Sequence, residues 1–324
     1  MDTHELLEKI CTLPIVANNL AEEILAGNFS SIFKGQGMEF DEVRHYQPGD
    51  DIRSIDWNAS ARFGSPYVKM YREERDLTIL LLLDTSASMH RTGWMPGAAH
   101  SSDLSPYEQG LISSALMAFS AERNDQRVGA LLFDNDIERI FPPRKGRHNI
   151  MALIGGALQY QNVMRPAGRG KKMRLEGSNL AEALRGADRL LKRRSLAVVV
   201  SDFFSSNWED EMKNLCRKHD VFALRISTPL DLNMPDKGLF TMEDPETEVR
   251  ISAPMGFPSF RDAWSHWHRE RAETWAGICH RCGAAHLDLS TSEDAAAVLY
   301  RFFSSGPSLR SGVKRRRGTV NSEQ

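Results

Sequence analysis

Leu77-Thr78-Ile79-Leu80-Leu81-Leu82-Leu83-Asp84-Thr85-Ser86-Ala87-Ser88-Met89 is the stretch on which the reading of this chain turns. A run that is apolar but for Thr78 stops at a carboxylate, and hydroxyls follow at alternate positions. Such a run suits a strand buried on both faces, as in a parallel sheet covered by helices. In sheets of that kind ligands bind outside the carboxyl ends of the strands, where the strand order reverses. Asp84, Ser86 and Ser88 would stand on that rim as hard-oxygen donors of the kind that suit Mg²⁺. A helix-capping loop of Asp and Ser is the plainer alternative.

Outward from this strand the pattern alternates. Helices are expected over Tyr107–Arg123, His148–Gln159, Gly177–Leu191 and Phe260–Cys282, with a capping box at Ser206-Asn207-Trp208-Glu209 opening another. Strands are expected over Arg127–Phe133, Ser195–Val200, Val221–Ser227 and Ala285–Leu289, with Ile137–Phe141 returning antiparallel at the edge. Val68–Arg75 reads as an extended lead-in, and a last helix capped by Ser290 or Ser292 runs to Phe303. This order predicts an α/β fold with a doubly wound, mostly parallel sheet. Three segments divide the chain: a helical and loop extension over 1–75, the sheet domain over 76–304, and a disordered tail over 305–324 carrying Lys314-Arg315-Arg316-Arg317.

Three loops then meet at one rim: Asp84 to Ser88, Gly177-Ser178-Asn179 at a helix start, and Asp202 after the strand ending at Val200. Two carboxylates and three hydroxyls from Asp84, Ser86, Ser88, Ser178 and Asp202 make a site for Mg²⁺, with Mn²⁺ or Ca²⁺ as alternatives. A cation so lightly neutralised keeps exchangeable waters and can accept a carboxylate from another molecule. Binding is therefore the expected use, not catalysis.

Composition sets limits. The net charge of -2 offers no global field for nucleic acid. No apolar run reaches the ~18 residues of a membrane span, and the acidic start Met1-Asp2-Thr3-His4-Glu5 is unlike a signal peptide. A cytoplasmic protein without membrane insertion is the expectation. Cys279-His280-Arg281-Cys282 lacks a second CxxC and closes a helix, so it reads as structural. His266 and His268 fall on different helix faces. Asp50, Asp51 and Asp56 read as turn and salt-bridge residues beside Arg44, Arg53 and Arg62.

The rim residues resemble the metal-ion-dependent adhesion site of von Willebrand factor A-type domains. The segment Glu39-Phe40, Arg44-His45-Tyr46, Pro48-Gly49-Asp50-Asp51, Arg53, Ile55-Asp56-Trp57 and Ala61-Arg62 is similar to the signature of the bacterial domain-of-unknown-function 58 family. The resemblance runs from about residue 20 to 303. It implies a von Willebrand factor A-like doubly wound fold and work beside a MoxR-type AAA+ ATPase in assembly, activation or metal-loading of a client protein. That client would offer an Asp or Glu to the metal. Ser178 stands where the family usually has Thr, which keeps the hydroxyl. The 90–106 stretch, with His90, Trp94 and His100, is longer than the usual direct entry into the helix. The rival is a metal-dependent hydrolase on the same rim, with Asp50, Asp51 or a loop His as general base. No nucleophile-and-base spacing supports it.

Overall fold

The computed structural model describes residues 10, 12–13, 39–48, 50, 54–72, 77–90, 104–164, 178–232, 239–243, 250–254 and 257–304. The helices expected over most of 5–26, the excursion 91–103, Asp51, Arg53 and the basic tail lie outside them. The chain divides into two compact units, Phe33–Asp76 and the remainder, residues 1–32 going with the larger unit.

In the smaller unit, β1 (Glu39–His45) pairs antiparallel with β2 (Tyr67–Arg72). The lead-in expected over Val68–Arg75 is thus a partner of β1 in a two-stranded ribbon, not an edge of the main sheet. Between them lies α1 (Trp57–Phe63). Asp56 caps it, its Oδ1 accepting from the N–H groups of Asn58 and Ala59 at 2.9 and 3.2 Å. Gly64, at φ 70°, closes it in the left-handed conformation that a side chain disfavours. Arg44 grips Asp50 with two guanidinium N–H bonds of 2.7 and 2.9 Å. Both acids therefore act as braces, as expected.

The larger unit is built on a six-stranded sheet in the order β10-β7-β6-β3-β4-β5. Its strands are β3 (Thr78–Asp84), β4 (Arg127–Phe133), β5 (Ile137–Arg144), β6 (Leu196–Ser201), β7 (Asp220–Ser227) and β10 (Ala285–Ser290). All neighbours are parallel except β4 and β5. The chain winds from β3 outward through β4 to β5, returns to β6, and winds the other way through β7 to β10. The order reverses between β3 and β6, so the expected doubly wound sheet is what the chain forms. A short ribbon, β8 (Leu239–Glu243) with β9 (Arg250–Pro254), stands apart from it.

Helices cover both faces. α2 (Pro106–Arg123) is buried from Pro106 to Ala121 and packs with α3 (Arg147–Met164) on one side. A capping box of Ser105 and Glu108 starts α2, and Gly110 lets the helix lie against β6 and β3: a Cβ there would come within 2.9 Å of Val200 Cγ1. On the other side α4 (Leu180–Leu190), α5 (Glu209–Lys218) and α7 (Pro258–Cys282) bury Leu184, Met212, Leu215, Trp275 and Ile278 against Leu80, Leu82, Ala197 and Val199. α6 (Pro229–Leu232) follows β7, and α8 (Ala295–Ser304) closes the domain against α2.

Two caps differ from expectation. No capping box forms over Ser206–Glu209: Asn207 turns left-handed (φ 60°) and Trp208, drawn into the core beside Phe203, becomes the N-cap without a side-chain bond. Ser290 and Ser292 hydrogen-bond each other at 3.0 Å, and Asp294 takes the N–H of Ala296 at 2.9 Å ahead of α8.

Candidate metal centre

β3 and β6 end side by side at the reversal of strand order, Leu83 pairing with Val200. Asp84 thus leaves β3 level with Ser201, the last residue of β6. The Asp84 carboxylate is fully buried. Its Oδ1 accepts from the Ser86 N–H at 2.9 Å, and its Oδ2 accepts from Ser201 Oγ at 2.6 Å and Ser178 Oγ at 3.2 Å. Ser86 Oγ and Ser88 Oγ hydrogen-bond each other at 3.0 Å. Asp202 is buried next to Ser201, near enough for its charge to act on Asp84. The fold therefore brings Asp84, Ser86, Ser88, Ser178 and Asp202 to one place.

Each loop is held from behind. Thr85 directs both its N–H (2.8 Å) and its hydroxyl (2.9 Å) to the carbonyl of Phe133, which ties the turn to β4. Asn179 donates its N–H to the Asp134 carbonyl at 2.7 Å and caps α4 by accepting from Glu182 N. Because Asn179 serves as the cap, Ser178 is left to face Asp84. Ser201 Oγ also accepts from Phe203 N at 2.9 Å, and Asp202 Oδ1 from Phe204 N at 3.1 Å. Phe203 sits at φ 55°, uncommon for a bulky residue, and Arg271 of α7 donates to its carbonyl at 3.1 Å.

Burial and the charge of Asp202, the larger cause first, push the Asp84 carboxyl up to about 7, while the hydroxyl and N–H bonds pull the other way. Two acids crowded so that one is reluctant to ionise is the electrostatic condition a cation relieves. Among the described residues no cluster of three or more His, Cys, Asp or Glu is arranged to hold a metal. A cation at this rim would depend on the hydroxyls. Two carboxylates with three serine hydroxyls fit a hard ion such as Mg²⁺.

Ser201 was not among the residues anticipated. Its signal was in plain sight, a hydroxyl ending an apolar run directly before Asp202. The other candidates behave as structural groups. Asp50 is held below the usual carboxylate range by the Arg44 bond and by the Gln47 N–H. Cys279 and Cys282 are joined in space by Cys216 of α5, 63 residues before Cys279 in sequence, and burial pushes all three thiols up, Cys216 to about 12.

The sheet order with its antiparallel edge strand, and this rim at the switch point, define a von Willebrand factor A-like α/β domain. The chain belongs to the family described as protein of unknown function DUF58, which matches residues 42–274 and so spans both units. It is 29% identical over 329 residues to the uncharacterized protein Rv1480 of Mycobacterium tuberculosis, across all of this chain and 94% of that one. It is 31% identical over 189 residues to the uncharacterized protein MAV169 of Mycobacterium avium, covering 56% of this chain and 98% of that one. Among solved structures it is similar to BatB from Bacteroides thetaiotaomicron (TM-score 0.39, 16% identity, 70% of this chain and 97% of that one). The SpRpn10 VWA domain is similar at TM-score 0.36 and 12% identity, over 73% and 98% of the two chains. Likenesses this loose carry no function.

Proposed function

We propose that this protein is a Mg²⁺-dependent protein-interaction module. Asp84, Ser86, Ser88, Ser178 and Asp202 would hold the ion, directly or through water, and a partner's Asp or Glu would complete its shell. The observation that carries this reading is the pairing of Asp84 and Asp202 at the switch point, with hydroxyls as their companions. The bound ion would supply an open position for a carboxylate. The chain's own part is to hold the donors in place through Thr85, Asn179 and Ser201. Mn²⁺ or Ca²⁺ would be weaker or looser substitutes.

The resemblance to the domain-of-unknown-function 58 family extends the proposal to a MoxR-type AAA+ ATPase as the working partner, in the cytoplasm, acting on a client protein. No described helix is long and apolar enough to cross a membrane, which accords with that setting. Turnover on the same rim is the weaker reading. Asp50 is committed to Arg44, and buried, protonated thiols make poor nucleophiles.

The test is a pull-down with the full chain in Mg²⁺, in EDTA, and with Asp84→Ala. Retention of an AAA+ ATPase or a client by wild type in Mg²⁺ alone supports the proposal. Equal retention in all three arms moves binding away from the rim.

A further inference from the structure

The helix α7 carries a stripe of large residues at helical spacing: Phe260, Trp264, Trp267, Arg271, Trp275 and Ile278. At 25 residues it is about 37 Å long. The six residues of β6 span about 20 Å. The helix therefore outruns the sheet. Its carboxyl-terminal half buries Trp275 and Ile278 in the core. Arg271 reaches the Phe203 carbonyl just past the end of β6, which places the rim at that level of the helix. Higher still, Trp264 Nε1 and Ser265 Oγ donate to the carbonyls of Leu230 and Leu232, in the segment that follows β7. The amino-terminal half thus stands beyond the rim, still carrying the core stripe. There it is not covered: Trp267 is 44% exposed and Phe257 61%, against 6% for Trp275 two turns below.

This wall adjoins the metal-site loop. Phe204, two residues after Asp202, lies with its ring 6.0 Å from that of Trp267. The Arg271 guanidinium sits 4.5 Å from the centre of the Phe204 ring and 5.1 Å from that of Trp267. Aromatic rings and an arginine at a partly open surface are the residue types that dominate binding energy.

We propose that Phe204, Trp267 and Arg271 form a specificity wall beside the metal rim. Its occupant is an extended acidic segment of the partner, carrying an aromatic or large aliphatic residue two positions from the carboxylate that meets the ion. This rests on the Mg²⁺ reading given above. Two residues of chain separate Asp202 from Phe204, at most about 7 Å. That equals the spacing of same-face residues i and i+2 in an extended segment. The positive charge of Arg271 suits an acidic segment.

The test uses the full chain and blocked pentapeptides, Gly-Asp-Ala-Phe-Gly, Gly-Asp-Ala-Ala-Gly and Gly-Asn-Ala-Phe-Gly, titrated by NMR in Mg²⁺ and in EDTA. The expected result is that the Asp–Phe peptide binds about ten-fold or more tighter than the Asp–Ala peptide. Trp267→Ala should erase that gap and leave both the Asp–Ala affinity and the Mg²⁺-induced thermal shift unchanged. Trp267→Phe should retain most of it. If both acidic peptides bind equally in Mg²⁺ and neither in EDTA, the metal reading stands and the wall is overturned. Loss of every acidic contact, with no thermal shift from Mg²⁺, sinks both. Preference for Phe that survives in EDTA or in the Asn peptide rejects the joint site. So does a dimer of the free protein that Trp267→Ala dissociates, since a second copy would then cover the wall.

Discussion

Ser201 Oγ donates to Asp84 Oδ2 at 2.6 Å, joining residues 117 apart in sequence across the ends of the adjacent strands β6 and β3. The same hydroxyl accepts from the N–H of Phe203, so it ties the Asp202 loop to the Asp84 carboxylate. Ser201→Ala removes the donor from a buried carboxyl and leaves Phe203 N without its acceptor. Loss of about 1–3 kcal/mol of stability is expected from urea unfolding. Ser201→Thr should recover most of it. A neutral Ser201→Ala would mean that water replaces the hydroxyl.

Asp84 should make the metal-free protein less stable at higher pH. Its folded value, about 7, lies above the value of about 4 expected unfolded. Between these limits the native state holds more protons than the unfolded one, so stability falls as pH rises from about 4 to about 7. Added Mg²⁺ should reverse the penalty by favouring the carboxylate. Urea melts at pH 5 and pH 8, in EDTA and in Mg²⁺, measure this directly. Asp84→Asn should abolish its share of the slope in EDTA, and an unchanged slope would reassign it to other groups.

Two glycine substitutions should have opposite signs. Gly110→Ala puts a methyl 2.9 Å from Val200 Cγ1 and 3.5 Å from Leu83 Cδ1, in a packed layer beneath the switch point. Overpacking of about 1–3 kcal/mol should outweigh a gain in helix propensity of about 1 kcal/mol. Gly155→Ala, in α3, meets nothing within 4 Å and should stabilise by about 0.5–1 kcal/mol. Thermal unfolding of the pair decides it. A stabilising Gly110→Ala would show that α2 can move off β6.

Thiol chemistry should be slow. Burial raises Cys216, Cys279 and Cys282, and Cys279 is fully buried. At pH 8 iodoacetamide should label Cys279 only after denaturation, as read by mass spectrometry. Rapid labelling in the folded protein would make the cluster reactive and revive a redox role.

Local pattern carried much of this fold. Ile79 to Leu83 and Leu196 to Val200 are apolar because both faces of their strands are covered, and that is visible without knowing what covers them. Asp84 and Asp202 end such runs, and strand ends in a wound sheet share one edge, so the rim could be located from composition and order alone. Caps were harder, because Ser206 and Ser105 stand in equally suitable local sequence. Burial of Trp208 beside Phe203 set the start of α5, and no short-range rule contains that contact.

The sequence by itself determined the strands, their alternation with helices and the five oxygen-bearing residues of the rim, since each follows from neighbours within a turn or two. Only the tertiary structure decided that Ser201 protects Asp84, that Asn179 caps and so frees Ser178, and that Cys216 meets Cys279 and Cys282. It alone showed that α7 runs past the sheet with its aromatic stripe uncovered. These relations depend on strand order and on relative element length. They arise where the winding reverses between β3 and β6, a property of how distant segments pack.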